Sequence, residues 1–230
     1  RAFNVRIKNN LTYFDIIINK NPTNQSIMIK NVVIPLPGEY NIRNALGAIA
    51  VALELGIKED VIKKSLLRFK GVERRFSFVG NVQGIIIIDD YAHHPTEIKN
   101  TLNAARSLCN GKIIAIFEPH RYSRIIDLYD DFINSFDKAD YIFVTNIYAA
   151  GEKYIKGISK EKIVESIKSK GNAYVNTFKN EDKMENELIK VCKKGDFIIF
   201  LGAGSISKKA RALENNMLEL LSDNNSVNLN

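Results

Sequence analysis

VQGIIIIDDYAHHPTEIKNTLNAARSLCNGKIIAIFEPHRYSR, residues 82–124, carries the pattern that decides the fold. Val82 to Asp89 is an apolar run that ends in acid, and Ile113 to Phe117 is a second apolar run. Between them, residues 96–108 place apolar side chains at helical spacing. Pro95 stands just before them, and its fixed φ and missing N–H suit a first helical turn. Strand, helix, strand is the unit from which parallel sheets are built.

The same grammar continues toward the carboxyl end. A helix is expected over 125–137, a strand over Tyr141 to Thr145 and a helix over 160–169. A short strand at Ala173 to Val175, a helix over 181–193 and a strand over Phe197 to Leu201 follow. Gly202-Ala203-Gly204 then leads into a helix over 206–221. The alternation predicts an α/β fold over residues 73–222, a mostly parallel open sheet with helices on both faces. Residues 223–230 are polar and are expected to form a disordered tail.

Toward the amino end the period changes. Phe3-Asn4-Val5-Arg6-Ile7 and Ile27-Met28-Ile29 alternate apolar and polar, which predicts antiparallel strands with a turn near Asn21-Pro22. Pro35-Leu36-Pro37-Gly38 breaks the pattern, and helices are expected over 42–55 and 59–69. A few strands and two helices make a thin core, so residues 1–72 read as an α+β flank of a larger domain. No internal repeat is present.

The bulk numbers exclude several classes. Hydrophobic residues make up 45% of the 230, enough for a packed core, and charged residues 26%. No apolar run approaches the ~20 residues of a membrane span, and no signal peptide is expected. Cys109 and Cys192 lie far apart in no metal-like spacing and read as reduced thiols of a cytoplasmic protein. The net charge is +7, but the lysines are scattered rather than gathered in a stripe, which argues against nucleic acid. The first residue is Arg1, not methionine, which suggests a fragment or a processed chain.

Ligands of open α/β sheets bind beyond the carboxyl ends of the strands. The unusual residues fall there repeatedly: DDYAHHPTE (Asp89 to Glu97), EPHRYSR (Glu118 to Arg124), NIYAAGE (Asn146 to Glu152) and GAGSI (Gly202 to Ile206). All three histidines, His93, His94 and His120, lie in the first two of these loops. That clustering predicts a binding or active face.

Each loop also has a plainer reading. Asp89 and Asp90 could cap the next helix. The histidines, with the acids and Glu118, could hold a metal, although no His-x-x-x-His spacing exists. Arg121 and Arg124 could be surface ion-pair residues, yet two guanidinium groups at a strand end suit a carboxylate or phosphate. GAGSI exposes N–H groups at a helix start, suited to an anion, or merely allows close strand-to-helix packing. Asn41 and Asn44, three apart at the start of a helix, place two amides on one face and could read a purine edge or cap the helix. Arg74 and Arg75 of GVERRF (Gly71 to Phe76) sit where the two regions join, a usual place for a nucleotide.

From about residue 35 to about 213, these segments together resemble the Mur ligases. PGEYNIRNALGAIAVALELGI is similar to the family's central-domain helix, and GVERRF to its interdomain hinge. DDYAHHPTEI and PHRYSR are similar to signatures of the branch that adds L-alanine to UDP-N-acetylmuramate. Tyr40 stands where the family usually has histidine, Glu118 where glutamine is common, and Asn146 where an acid is common. No Gly-x-x-Gly-Lys-Thr phosphate loop occurs in the 230 residues.

The resemblance implies that residues 1–72 are part of a central ATP-binding domain and that 73–222 form a Rossmann-like carboxyl-terminal domain. It implies a cytoplasmic enzyme using ATP, Mg²⁺, UDP-N-acetylmuramate and L-alanine, with the main metal ligands upstream of Arg1 and none in this chain. Asn41 and Asn44 are then expected at adenine, Asp90 at the ribose and Arg75 at the ATP phosphates. Tyr91, His93, His120, Arg121 and Arg124 are expected to line the side where alanine and the muramate end meet, with His93 and Arg124 closest to the chemistry. Two other readings stay open: a ligase of the same family that adds another amino acid or peptide, and a non-catalytic nucleotide-binding module.

Overall fold

A computed structural model describes residues 1–8, 11–20, 25–171 and 174–227. The chain divides into two compact units, Arg1–Val72 and Glu73–Asn230. The Asn21-Pro22 turn and Ala173 lie outside the described residues.

In the first unit, β1 (Ala2–Lys8), β2 (Leu11–Lys20) and β3 (Gln25–Ile34) form an antiparallel sheet in that order. Helices α1 (Glu39–Glu54) and α2 (Glu59–Arg68) follow. One face of the sheet presents Phe14, Ile16, Ile29, Val32 and Ile34, which pack against Ile42, Ala45 and Ile49 of α1 and Ile62 of α2. The period of two in the strands and of three to four in the helices brings these side chains to one face each. Gly38, at φ 94°, turns the chain into α1 after the two prolines.

The second unit is built on a six-stranded sheet in the order β4-β5-β9-β6-β7-β8. Its strands are β4 (Ser77–Val82), β5 (Ile85–Asp90), β6 (Ile113–Phe117), β7 (Tyr141–Val144), β8 (Tyr174–Asn176) and β9 (Phe197–Leu201). Strands β5 to β9 are mutually parallel, and β4 is antiparallel to β5. The central strand β6, IIAIF, is buried along its whole length, as expected when both faces of a sheet are covered.

Alternation along β6 sorts the two faces. Ile113, Ala115 and Phe117 pack with α3 (Pro95–Arg106), α4 (Tyr122–Asp127), α5 (Tyr129–Ile133) and α6 (Lys160–Ser169). Ile114 and Ile116 pack on the opposite face with α7 (Glu185–Val191) and α8 (Ile206–Val227). The fold is therefore the α/β architecture with helices on both faces.

Four elements differ from the expected ones. The strand expected from Val82 to Asp89 begins instead at Ile85 as β5, and Val82 ends a further strand, β4, the two forming a hairpin turned at Gln83 and Gly84. Both turn residues have positive φ, 51° and 88°, as a two-residue hairpin requires, and Asn81 accepts the Gly84 N–H at 2.8 Å. The helix expected over 125–137 starts at Tyr122 and breaks at Leu128, where φ is −121°. The helix expected over 181–193 is a 3-10 turn, Glu181–Lys183, followed by α7. The last helix continues through Val227, past Ser222, because no Gly or Pro stands there to stop it; the tail expected to be disordered is helical as far as it is described. No helix among the described residues is long and apolar enough to cross a membrane.

Candidate functional site

The crossovers define where a ligand crevice opens. The chain leaves β5 and β6 toward one face, through α3 and α4, and leaves β9, which lies between them, toward the other through α8. Loops that part in opposite directions from neighbouring strands leave a cleft at the carboxyl ends. Here hydrogen bonds stitch the loops together. Gly202 N–H donates to Asp90 O at 3.2 Å, and Glu118 N–H to Leu201 O at 2.9 Å. His120 and Tyr148 form an isolated parallel bridge.

After β5, the Tyr91 ring has the Arg74 guanidinium 4.8 Å from its centroid and that of Arg75 at 5.6 Å. Arg74, at φ 59°, turns inward and donates to Gly202 O at 2.6 Å. Arg75 is half exposed, with Glu97 no nearer than 4.0 Å. Its cationic end is therefore available to an anion. His94, not Asp89 or Asp90, caps α3. Its side chain accepts from Thr96 N–H, and Glu97 three residues on closes a capping box. Asp89 is buried and bonded to the Ser207 hydroxyl.

Asp90 is also buried. Its Oδ1 accepts the Ala92 N–H at 2.8 Å and its Oδ2 the Phe76 N–H at 2.7 Å, so both oxygens are engaged. Burial pushes its pKa up to about 6, although the two amides and Arg75 pull the other way. The folded state then binds this proton more tightly than the unfolded chain does. Stability from Asp90 is fully present below about pH 4 and is lost as pH rises to about 6, by on the order of 3 kcal/mol. We expect the Phe76 and Ala92 amide NMR shifts to titrate with a midpoint near 6, and Asp90→Asn to abolish that step. A midpoint at or below the ordinary carboxylate range would contradict the desolvation argument.

After β6, the His120 ring stacks on Tyr148 at 5.3 Å and lies 5.6 Å from the His93 ring. Arg124 donates to His120 Nδ1 at 3.1 Å. Burial, with the cations of Arg124 and Arg121, pushes the His120 pKa down to about 4. His120 is thus neutral at physiological pH, with its proton on Nε2. No carboxylate among the described residues lies within ion-pair distance of Arg121 or Arg124. The surface ion-pair reading of these arginines therefore fails. Arg121 itself sits at φ 70°, ψ 131°, a strained region worth ~1–3 kcal/mol that clusters at functional sites.

The anion site expected at GAGSI is filled from within. Glu118 accepts from Gly204 N–H at 3.0 Å, Ser205 N–H at 3.2 Å and Ser205 Oγ at 2.8 Å. Both glycines are there for close approach: a Cβ on Gly204 would meet Tyr148 Cγ at 2.4 Å, and one on Gly202 would meet Glu118 Cβ at 2.9 Å.

The second unit thus brings Tyr91, His93, His120, Arg121 and Arg124 to neighbouring loop ends, with Arg75 beside Tyr91 and Asp90 bonded to the Phe76 and Ala92 amides. Asn41 and Asn44 belong to the first unit. There the Asn41 side chain donates to Pro37 O at 2.6 Å, and Asn44 is exposed on α1. The NIYAAGE loop and Arg74 were marked in the sequence, but the stacking of Tyr148 on His120 and the bond from Arg74 to Gly202 O were not legible there, because both depend on contacts with distant loops. Glu97 had one, the capping-box spacing to His94. Among the described residues, no group of three or more His, Cys, Asp or Glu side chains could hold a metal ion.

The chain is similar to known proteins. The family model described as Mur ligase, glutamate ligase domain, matches residues 74–204. A UDP-N-acetylmuramate–L-alanine ligase of Agrobacterium fabrum is 44% identical over 213 residues, 93% of this chain and 45% of the relative. One of Bartonella bacilliformis is 43% identical over 225 residues, 98% of this chain and 47% of the relative. The chain therefore spans about half the length of these curated relatives. Among solved structures, a UDP-N-acetylmuramate–alanine ligase of Thermotoga maritima superposes with a TM-score of 0.70 at 29% identity, covering 90% of this chain and 43% of that one. A MurF ligase of the same organism in complex with ADP shares the fold, with a TM-score of 0.63 at 17% identity over 95% of this chain and 46% of that one. The matched family model covers more than half of the residues, and so the chain belongs to the Mur ligase family.

Proposed function

We propose that this chain is the nucleotide- and amino-acid-binding half of an ATP-dependent ligase that joins L-alanine to UDP-N-acetylmuramate through an acyl phosphate, in peptidoglycan precursor synthesis. The observation that carries the reading is the Arg124 guanidinium, which has no carboxylate partner among the described residues, beside His93 and the neutral His120, in a chain 44% identical to a ligase of that name over 213 residues. A fixed cation with hydrogen-bonding imidazoles at one side suits an amino acid, which presents a carboxylate and an amine a few ångströms apart.

In this reading Arg124, with Arg121, grips the carboxylate of L-alanine. Neutral His120 offers Nε2–H to an oxygen of the incoming groups. Arg75 meets the ATP phosphates, and its stacking on Tyr91 limits its swing. Asn41 and Asn44 read adenine, Asn44 being the freer of the two. Asp90 serves the ribose only after one of its two amide partners yields an oxygen; at rest it ties the Arg75 segment to the Tyr91–His93 loop. Catalysis is then mainly alignment and charge stabilisation. Mg²⁺ would neutralise phosphate charge, but the described residues do not make up a ligand set for it, and no step is routed through it.

Two measurements test the reading. The 230-residue chain by itself should release no ADP with UDP-N-acetylmuramate, L-alanine and ATP, because it contains no phosphate loop. Its ATP affinity should be on the order of millimolar or weaker, since each missing charge-assisted hydrogen bond removes ~1.5–3 kcal/mol. Micromolar binding by calorimetry would place the phosphate-binding elements inside this chain. A full-length ligase carrying this sequence should turn over with L-alanine in preference to other amino acids; preference for a peptide would move it to another branch of the family.

A further inference from the structure

His93 is held in one tautomer. Its Nδ1 lies 2.8 Å from the Tyr91 carbonyl oxygen and 3.3 Å from Glu97 Oε2. A carbonyl and a carboxylate can only accept, so Nδ1 carries a proton, and in the neutral ring the lone pair is on Nε2. Glu97 cannot swing away. The same Oε2 accepts the N–H of His93 at 3.0 Å and of His94 at 3.2 Å, closing the cap of α3. The His120 ring, whose Nδ1 is already taken by Arg124, lies 5.6 Å from the His93 ring. Tyr91 meets the His93 ring edge-on at 5.0 Å. Among these neighbours, Glu97 on α3 is the anion that offsets a new positive charge on His93, while Arg124 and Arg75 oppose it.

We propose that His93 Nε2 takes the proton from the ammonium group of the incoming amino acid, and that Glu97 is the positioning residue that holds the tautomer and stabilises the resulting imidazolium. This rests on the ligase reading above. An ammonium nitrogen has no lone pair and cannot attack. Transfer of one proton to Nε2 yields a free amine and an imidazolium. The amine nitrogen then bonds to the acyl carbon of the acyl phosphate. The carbon–oxygen bond to phosphate breaks, with its electron pair leaving on phosphate. Phosphate also takes the surplus proton of the new amide nitrogen, and the imidazolium returns its proton to water. A carboxylate that orients an imidazole and steadies its charged form is a general device of proton transfer.

The tautomer is testable in this chain: ¹⁵N NMR should place the His93 proton on Nδ1, and a proton on Nε2 overturns the proposal. The chemistry is testable in a full-length ligase carrying this sequence, with hydroxylamine as a competing nucleophile. Hydroxylamine is largely unprotonated at neutral pH and needs no base. The ratio of L-alanine product to hydroxamate should fall roughly 100-fold in His93→Ala, the contribution typical of a general base. It should fall about tenfold in Glu97→Gln, which keeps the oxygen that caps α3 but not the charge. An unchanged ratio, with both products falling together, overturns the proposal and leaves His93 and Glu97 structural. Absence of hydroxamate from the unmutated enzyme sinks the acyl-phosphate reading instead.

Discussion

Arg124→Ala in a full-length ligase carrying this sequence is expected to raise the KM for L-alanine strongly, lower kcat/KM by roughly 100-fold or more, and leave the KM for ATP almost alone. The magnitude is that of about two charge-assisted hydrogen bonds, ~1.5–3 kcal/mol each. Arg124→Lys separates charge from shape: it keeps the cation but loses the planar fork, and a loss of roughly tenfold is expected. The geometry sharpens the test, because Arg124 also donates to His120 Nδ1 at 3.1 Å and lies near His120 O at 3.5 Å. No acid among the described residues holds it, so its removal breaks no ion pair and thermal stability should change little. Steady-state kinetics with both substrates varied, beside a melting curve, decide the matter. An unchanged KM for L-alanine in a well-folded variant would shift the carboxylate contact to Arg121. A large drop in melting temperature would make Arg124 a structural prop of the His120 loop.

Glu118→Ala is expected to act on stability rather than on substrate. The carboxylate is buried and satisfies two backbone amides and a hydroxyl at the start of α8. Removing it strands those donors inside the sheet's carboxyl edge, where an unsatisfied buried group costs ~1–3 kcal/mol. The expected loss is about 3–5 kcal/mol, or roughly 10 °C in Tm for a unit of this size. Glu118→Gln keeps one accepting oxygen and should cost about 1 kcal/mol. Gly204→Val probes the same place from the other side, because its Cβ would stand 2.4 Å from Tyr148 Cγ and 2.6 Å from Glu118 Oε1. Chemical denaturation of the 230-residue chain measures all three. An Ala variant as stable as the parent would mean that water replaces Glu118 and that the GAGSI turn can accept an outside anion after all.

The sequence by itself determined the fold class, because hydrophobic period and turn punctuation are local. The strands Ile113–Phe117 and Phe197–Leu201 are where the apolar runs stand, and Pro95 opens α3. It also pointed to the strand ends as the place of the candidate site, since polar residues at the ends of apolar strands have few structural reasons to be there. Boundaries were less legible where local signals conflict. Gln83-Gly84 is a weaker turn signal than Asn-Gly, so the strand expected from Val82 to Asp89 ran through the turn and β4 was missed but for Val82. Leu128 continues the helical period of residues 125–137 while the backbone breaks there.

Only the tertiary structure decided how the candidate site residues are buried and bonded, because burial and partners are set by segments far apart in the chain. Asp90 looks like a free acid in sequence, yet it is closed in by Phe76 and Ala92. GAGSI looks like an anion-binding turn, yet Glu118, 86 residues before Gly204, already fills it. The charge state of His120 depends on Arg124 and on burial, neither of which spacing records. The physical reason is that period and propensity act over a few residues, whereas desolvation and hydrogen-bond satisfaction act on whichever groups the fold brings within about 3 Å of one another.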